Sequence, residues 1–216
     1  MKILITAGGT REYLDDVRVL TNISTGKLGA KIADNLLMSK SVKIQDCYYL
    51  CSKYSVIPEI FYKGNIIYAD SVEEVMEEME KLIPKMDVVI HSMAISDFGF
   101  ESLNEKLKSD SPQAFIDSLR SRIKKNPKVI SYIKKWNPEI KLVSFKFEVG
   151  QSLNNLIDIA YESMTRNNSD FVIANDKLEM QIAKEHIAYI IDTEKNYVKC
   201  NGKDDIAKKL INKIFN

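Results

Sequence analysis

Apolar residues enter this chain in short, dense blocks. Lys2-Ile3-Leu4-Ile5-Thr6 is a β-branched run that stops at Ala7-Gly8-Gly9, the punctuation of a buried parallel strand closing in a tight turn. From Gly26 to Met38 the period changes. Leu28, Ile32, Leu36 and Leu37 recur at helical spacing and predict a helix, preceded by a polar stretch from Thr10 to Thr25. Lys43 to Leu50 and Asn65 to Tyr68 read as further strands, the second running into an acidic amphipathic helix over Val72–Leu82. Asp87-Val88-Val89-Ile90 predicts the next strand, which ends where Ser92-Met93-Ala94-Ile95-Ser96-Asp97 gathers small and polar residues. Phe98 to Ser111 is charged and aperiodic and predicts a mobile surface loop. After a segment of unassigned type through Arg122, Pro127 to Trp136 predicts a helix, with Pro127 near its first turn and Val129, Ile130 and Ile133 on its apolar side. Lys141 to Glu148 reads as a strand and Leu153 to Met164 as a helix; Phe171 to Ala174 is a strand closed by Asn175-Asp176. His186–Asp192 and Asn196–Cys200 predict a hairpin before a last helix, Asp204–Phe215.

Strands alternating with helices imply an α/β fold: a Rossmann-like, mostly parallel sheet with helices on both faces and a late antiparallel hairpin. In such sheets ligands bind outside the carboxyl ends of the strands. That rule selects Ala7–Gly9, His91–Asp97, Phe145–Glu148 and Asn175–Asp176 for one shared crevice.

Composition narrows the partners. At 216 residues with 45% apolar content the chain suits one large domain over 1–216. Its 31 Lys and Arg against 30 Asp and Glu leave a net charge of +1, so no global field draws it to nucleic acid or anionic lipid, and phosphate recognition must be local. Without a long apolar run or a signal-like N-terminus, a cytoplasmic location and no membrane association are expected. Cys47, Cys51 and Cys200 are an odd set with only His91 and His186 as possible partners, so plain buried or half-buried thiols are expected, not a zinc site.

The candidate chemistry is made of weak signals. Gly8-Gly9 lets backbone approach a phosphate, a dinucleotide or a packing neighbour, but it is not G-x-G-x-x-G and no acidic ribose ligand follows, which disfavours NAD. Asn22-Ile23-Ser24-Thr25-Gly26-Lys27 lacks the earlier glycine of a P-loop and has Leu28 where Ser or Thr should follow; Ser24, Thr25 and Gly26 are an anion site or an ordinary helix cap. Asp97 and Asn175-Asp176 are ligand contacts or turn residues. The pairs Lys106/Lys108 and Lys124/Lys125 read as solvated, and Trp136 and the Phe145-Lys146-Phe147 alternation as packing. His91 sits at a strand end facing the crevice, His186 has no recognisable partner, and no Ser/His/Asp or Cys/His triad can be assembled.

The order of these signals is more specific than any one of them. Ile3-Leu4-Ile5-Thr6-Ala7-Gly8-Gly9-Thr10-Arg11-Glu12, then Asp15-Asp16-Val17-Arg18, then Asn22-Ile23-Ser24-Thr25-Gly26-Lys27-Leu28-Gly29 closely resembles the phosphopantothenoylcysteine synthetases, or phosphopantothenate-cysteine ligases. Ala94-Ile95-Ser96-Asp97-Phe98 is similar to that family's A-V-A-D-Y segment, Lys106-Leu107-Lys108 to its K-x-K loop and Lys125-Asn126-Pro127 to its K-x-P helix entry. Ser144-Phe145-Lys146-Phe147-Glu148 resembles G-F-x-x-E, and Asp170-Phe171-Val172-Ile173-Ala174-Asn175-Asp176 resembles D-x-x-V-A-N-D.

The resemblance covers nearly the whole chain and implies a free-standing bacterial-type ligase with no flavin-binding decarboxylase half. Such enzymes activate the carboxylate of 4'-phosphopantothenate on a nucleotide, release pyrophosphate, and let the amine of L-cysteine displace the nucleotide monophosphate. By resemblance, Asn22 and Lys106 are the catalytic positions. Gly8, Gly9, Ser92, Met93, Asp97, Lys106, Pro127, Lys128, Val129, Ile130 and Phe145 contact nucleotide, while Asn22, Ser24, Thr25, Gly26, Asn175 and Asp176 contact substrate. Magnesium is expected on the nucleotide phosphates without direct protein ligands, no flavin or NAD is implied, and a homodimer is. The lysine loop reads Lys-Leu-Lys-Ser, one lysine short of some bacterial members, and Asn167 stands where those carry a lysine; CTP is favoured over ATP. Two other classes compete with this reading: a short-chain reductase, whose Tyr-x-x-x-Lys spacing occurs only at Tyr49–Lys53 at the end of a predicted strand, and a non-catalytic nucleotide-binding module.

Overall fold

The computed structural model describes residues 1–39, 42–60, 65–101 and 111–215. The chain opens with β1 (Lys2–Ala7), a small hairpin of β2 (Arg11–Tyr13) and β3 (Val19–Thr21), and α1 (Lys27–Met38). Then come β4 (Asp46–Cys51), β5 (Ile66–Tyr68), α2 (Val72–Leu82) and β6 (Val88–His91). A second small ribbon, β7 (Phe98–Phe100) with β8 (Ile123–Lys125), brackets α3 (Pro112–Arg122). The rest runs α4 (Ile130–Trp136), β9 (Lys141–Glu148), α5 (Leu153–Arg166), β10 (Phe171–Asp176), α6 (Lys177–Ala183), β11 (Ile187–Asp192), β12 (Tyr197–Asn201) and α7 (Lys203–Phe215).

The main sheet has eight strands in the order β12-β11-β10-β9-β6-β1-β4-β5. The six from β10 to β5 are parallel, and β11 and β12 are antiparallel, as the sequence predicted. Pleating sends alternate residues of each strand to opposite faces. Ile3 and Ile5 of β1 therefore pack with Ile32 and Leu36 of α1 and Ile206, Leu210 and Ile214 of α7. Leu4 between them packs on the other face with Val75 and Met79 of α2 and Ile133 of α4. Farther along that face, Val172 and Ala174 of β10 meet Leu156, Ala160 and Met164 of α5. Each such aliphatic side chain taken fully from water contributes about 1.5–3 kcal/mol. The three cysteines are free and buried, and burial pushes Cys47 and Cys51 up to about 12 and Cys200 to about 11, so all three are inert thiols. Among the described residues no helix is long and apolar enough to cross a membrane.

Several segments differ from expectation, each through contacts with distant parts of the chain. The polar stretch after Thr10 contains β2 and β3. Phe98 begins a strand, not a loop, because Phe98 pairs with Lys125 and Phe100 with Ile123; residues 102–110 of the predicted mobile loop, including Lys106 and Lys108, lie outside the described residues. The unassigned segment before Arg122 is α3, whose only buried side chain is Arg122 and whose apolar period is correspondingly faint. Pro127 is not in a first helical turn. The Asn126 backbone N–H donates to the Asp97 carbonyl at 2.9 Å, which holds the chain beside β7 until α4 begins at Ile130. The predicted start of β4 at Lys43 moves to Asp46, and α6 follows β10 without having been predicted.

Candidate functional site

A crevice of about 850 Å³ opens at the carboxyl ends of the central strands. Its first wall is the segment from Asn22 to Gly29. Gly26 adopts φ 74°, a left-handed conformation that favours glycine, and among the described residues no side chain caps the helix that follows. The first N–H groups of α1 thus lie uncapped at the lip of the crevice, the arrangement that binds anions. Gly29 lets α1 press onto β1, since a Cβ there would lie 2.6 Å from the Ala7 Cβ. The Asn22 amide donates to the Ile95 carbonyl at 3.2 Å, which fixes its plane and leaves a second N–H to donate.

Gly8 and Gly9 stand behind this wall and do not line the crevice. Gly8, at φ 86°, makes room for the Ser55 hydroxyl, and a Cβ on Gly9 would lie 2.7 Å from the Asn22 carbonyl. Ala94 exchanges backbone hydrogen bonds with both sides of the turn, donating to the Gly8 carbonyl at 2.8 Å and accepting from Thr10 at 3.1 Å. The glycines therefore pack the loops that shape the site.

The second wall follows β6. His91 is buried, with Nδ1 2.8 Å from the Thr6 hydroxyl, and burial pushes its pKa down to about 4, so the ring is neutral. Ser92 donates to the Thr6 carbonyl at 2.6 Å, and Met93 lies beside it. Asp97, farther along, is ion-paired with Lys128. Lys128, Val129 and Ile130 bring the start of α4 to the crevice, whereas Pro127 falls outside its lining. From β9 come Phe145, half-buried, and Phe147, which is 54% exposed and so faces the cavity instead of packing as the alternation suggested. Lys146 between them pairs with Glu148 at 2.9 Å.

Asn175 and Asp176 part company. Asn175 lines the crevice, whereas the Asp176 carboxylate accepts from the N–H groups of Gln151, Leu178 and Glu179 and caps α6. Its oxygens are engaged with backbone before any ligand arrives. Lys106 lies outside the described residues.

The far wall, formed by α6, β11 and α7, was not legible in the sequence. It brings Lys177, Met180, His186 and Lys203 to the crevice, which Lys27 at the start of α1 also lines. Lys27 stands within a recognised block, but nothing in the spacing links Lys177, His186 and Lys203 until α6 and the hairpin turn the chain back. Asp97 is the lone carboxylate in the described lining and is paired with Lys128; no described carboxylate pairs with Lys27, Lys177 or Lys203. A chain of net charge +1 thus concentrates positive charge and uncapped helix donors in one cavity. His186 Nε2 is buried and has no hydrogen-bond partner among the described residues. No group of three His, Cys, Asp or Glu residues able to hold a metal occurs among the described residues. The Tyr49 hydroxyl is buried against the Val56 carbonyl at 2.9 Å and Lys53 pairs with Asp70, so the Tyr-x-x-x-Lys spacing forms no reductase pair.

Comparison with known proteins matches this architecture. The coenzyme A biosynthesis bifunctional protein CoaBC of Thermococcus kodakarensis is 34% identical over 212 residues, 97% of this chain and 46% of that protein. The chain spans about half the length of the curated relatives it matches. A crystal structure of the DNA/pantothenate metabolism flavoprotein from Streptococcus pneumoniae is 33% identical, with a TM-score of 0.81 over 99% of this chain and 98% of that one. A Cab2 variant in complex with phosphopantothenate-cysteine shares the fold, with a TM-score of 0.76 at 16% identity over 98% and 85% of the two chains. All 216 residues match one family description, and the chain belongs to the family of the DNA/pantothenate metabolism flavoprotein C-terminal domain.

Proposed function

We propose that this chain is a ligase that joins 4'-phosphopantothenate to L-cysteine through an acyl-nucleotide intermediate, a step of coenzyme A biosynthesis. The observation that carries this reading is the crevice itself: a cationic cavity with the Asn22 amide and the uncapped start of α1 on one wall. Joining two metabolites through a mixed anhydride needs alignment and charge stabilisation more than a covalent intermediate on the protein. Its volume suits an acyl nucleotide. The names of the CoaBC relatives and the ligand of Cab2 support the substrate class.

In this mechanism the nucleoside triphosphate binds over Met93, the Lys128–Ile130 turn and Phe145, and the phosphate of phosphopantothenate meets Ser24, Thr25, Gly26 and the first N–H groups of α1. The free N–H of Asn22 donates to the oxygen that gains charge when the acyl carbon is attacked; a neutral amide does so without repelling phosphate. Lys106 would neutralise the departing pyrophosphate. The donor set fits magnesium held by the triphosphate and not by the protein, because the crevice's one described carboxylate is already paired. Magnesium bound that way screens phosphate charge. We place CTP ahead of ATP, and a homodimer in the cytoplasm. The exposed apolar side chains Tyr13, Val17, Leu20, Phe98 and Ile123 around the two small ribbons support self-association.

The test is an assay with 4'-phosphopantothenate, L-cysteine and each nucleoside triphosphate, following pyrophosphate and the amide product. Product with CTP above ATP is expected; nucleotide binding without pyrophosphate release would leave a binding module instead. In the same assay Lys106→Gln should slow pyrophosphate release without lowering the melting temperature, and an unchanged rate would remove Lys106 from the mechanism.

A further inference from the structure

The ligation needs an acceptor for the proton that the cysteine amine loses as it attacks, and His186 is placed to be one. It stands immediately before β11, and its carbonyl accepts from Gly202 N at 2.9 Å, which ties it to the start of α7 and to Lys203. Both side chains line the crevice, as does Lys177 at the start of α6. Nε2 of His186 is buried without a hydrogen-bond partner among the described residues, a cost that a bound ligand can relieve. Burial, reinforced by the nearby Lys203 charge, holds the imidazole down to about 4, so the ring is neutral and one nitrogen lone pair is free at neutral pH.

The surrounding charges say what would sit there. Lys177 and Lys203 have no described carboxylate partner, while Glu185, the acidic neighbour in sequence, turns toward Gly202. Two cations attract a carboxylate and disfavour an ammonium beside them, which keeps an adjacent amine in its nucleophilic, uncharged form. An α-amino acid offers both groups. His91, the other histidine of the crevice, has Nδ1 hydrogen-bonded to the Thr6 hydroxyl.

We propose that His186 is the proton acceptor for the amine of the incoming amino acid, with Lys203 holding that amino acid's carboxylate. This rests on the ligase reading. As the amine nitrogen bonds to the acyl carbon, the carbon–oxygen bond to the nucleotide phosphate breaks and its electron pair leaves on the nucleotide monophosphate. One N–H proton passes to the His186 imidazole and then to water. The nitrogen becomes strongly acidic once bonded to carbon, so a weakly basic imidazole suffices.

The experiment compares two nucleophiles on the wild-type protein and on His186→Asn and His186→Gln, with melting temperatures measured in parallel. Hydroxylamine is largely unprotonated at neutral pH, carries no carboxylate, and reports acyl-nucleotide formation as hydroxamate. Both variants should release pyrophosphate and form hydroxamate within about twofold of wild type, while amide formation with cysteine falls roughly 100-fold. Lys203→Gln should raise the KM for cysteine about tenfold and leave hydroxamate formation alone. Unchanged cysteine turnover in the His186 variants, or an equal loss with both nucleophiles, overturns the assignment while the ligase reading stands. A wild-type protein that releases no pyrophosphate overturns both.

Discussion

Asn22 lines the crevice and Asp176 caps α6 beside it, and the backbone around each decides its use. Burial alone would raise the pKa of Asp176, but hydrogen bonds from the N–H groups of Gln151, Glu179, Leu178 and Gly150 outweigh it and hold the carboxyl below its ordinary value. A depressed carboxyl pKa contributes stability that is present above the unfolded value and lost as pH falls through the folded one. Asp176→Ala should therefore cost about 1–3 kcal/mol in urea unfolding at neutral pH, because several N–H groups lose their acceptor. If its stability matched wild type, the capping account would fail. Asn22 gives one N–H to Ile95 and keeps the other for a ligand. Asn22→Asp should lower amide formation by about 100-fold or more, the usual scale for losing a donor to a developing oxyanion, with the fold retained. Wild-type turnover in that variant would exclude the assigned role. The sequence marked both residues as Asx at special positions; only the neighbouring N–H groups tell a cap from a contact.

At the scale of elements, legibility followed local periodicity. The helix α2 was predicted to the residue, since its buried stripe is regular and Ser71 and Glu74 form a reciprocal capping box. Strand β9 was predicted as exactly, from a run bounded by turn residues. The ribbons β2–β3 and β7–β8 were not, because three-residue strands carry no period and β7 finds its partner more than twenty residues away. The packing of α1 on β1 gives the element-scale prediction. A methyl on Gly29 would lie 2.6 Å from the Ala7 Cβ and 2.9 Å from the Ser92 hydroxyl, so the helix must move outward. Gly29→Ala should destabilise the fold by about 1–3 kcal/mol through overpacking, despite its better helix propensity, and weaken nucleotide affinity as the crevice wall shifts. Calorimetry and a binding titration measure the two effects, and a variant more stable than wild type would show that the contact is slack.

For the whole molecule, pH is the probe that reaches the buried crevice. His91 titrates near 6.5 when unfolded but only near 4 when folded, because burial penalises its charged form. Between those values the unfolded chain binds the proton and the folded one does not, so stability is full above pH 6.5 and falls as pH drops toward 4. His91 should account for a loss on the order of 3 kcal/mol over that range, and His186, also depressed, shifts stability in the same direction. His91→Gln should flatten the profile in urea melts between pH 4 and 7; an unchanged slope would place the titration elsewhere.

Sequence by itself determined the alternation of strands and helices, the parallel sheet with its late hairpin, the family, and the ends of β6, β9 and β10 that line the crevice. Those are properties of local period and motif order, which survive without knowledge of contacts. Tertiary structure alone decided that Gly8 and Gly9 pack loops behind the crevice, that Asp176 caps α6, and that Lys177, His186 and Lys203 complete the cationic wall. The reason is physical: charge concentration and the pairing of a polar atom depend on distances between residues far apart in the chain, and those distances are set by how α6, β11 and α7 return over the sheet.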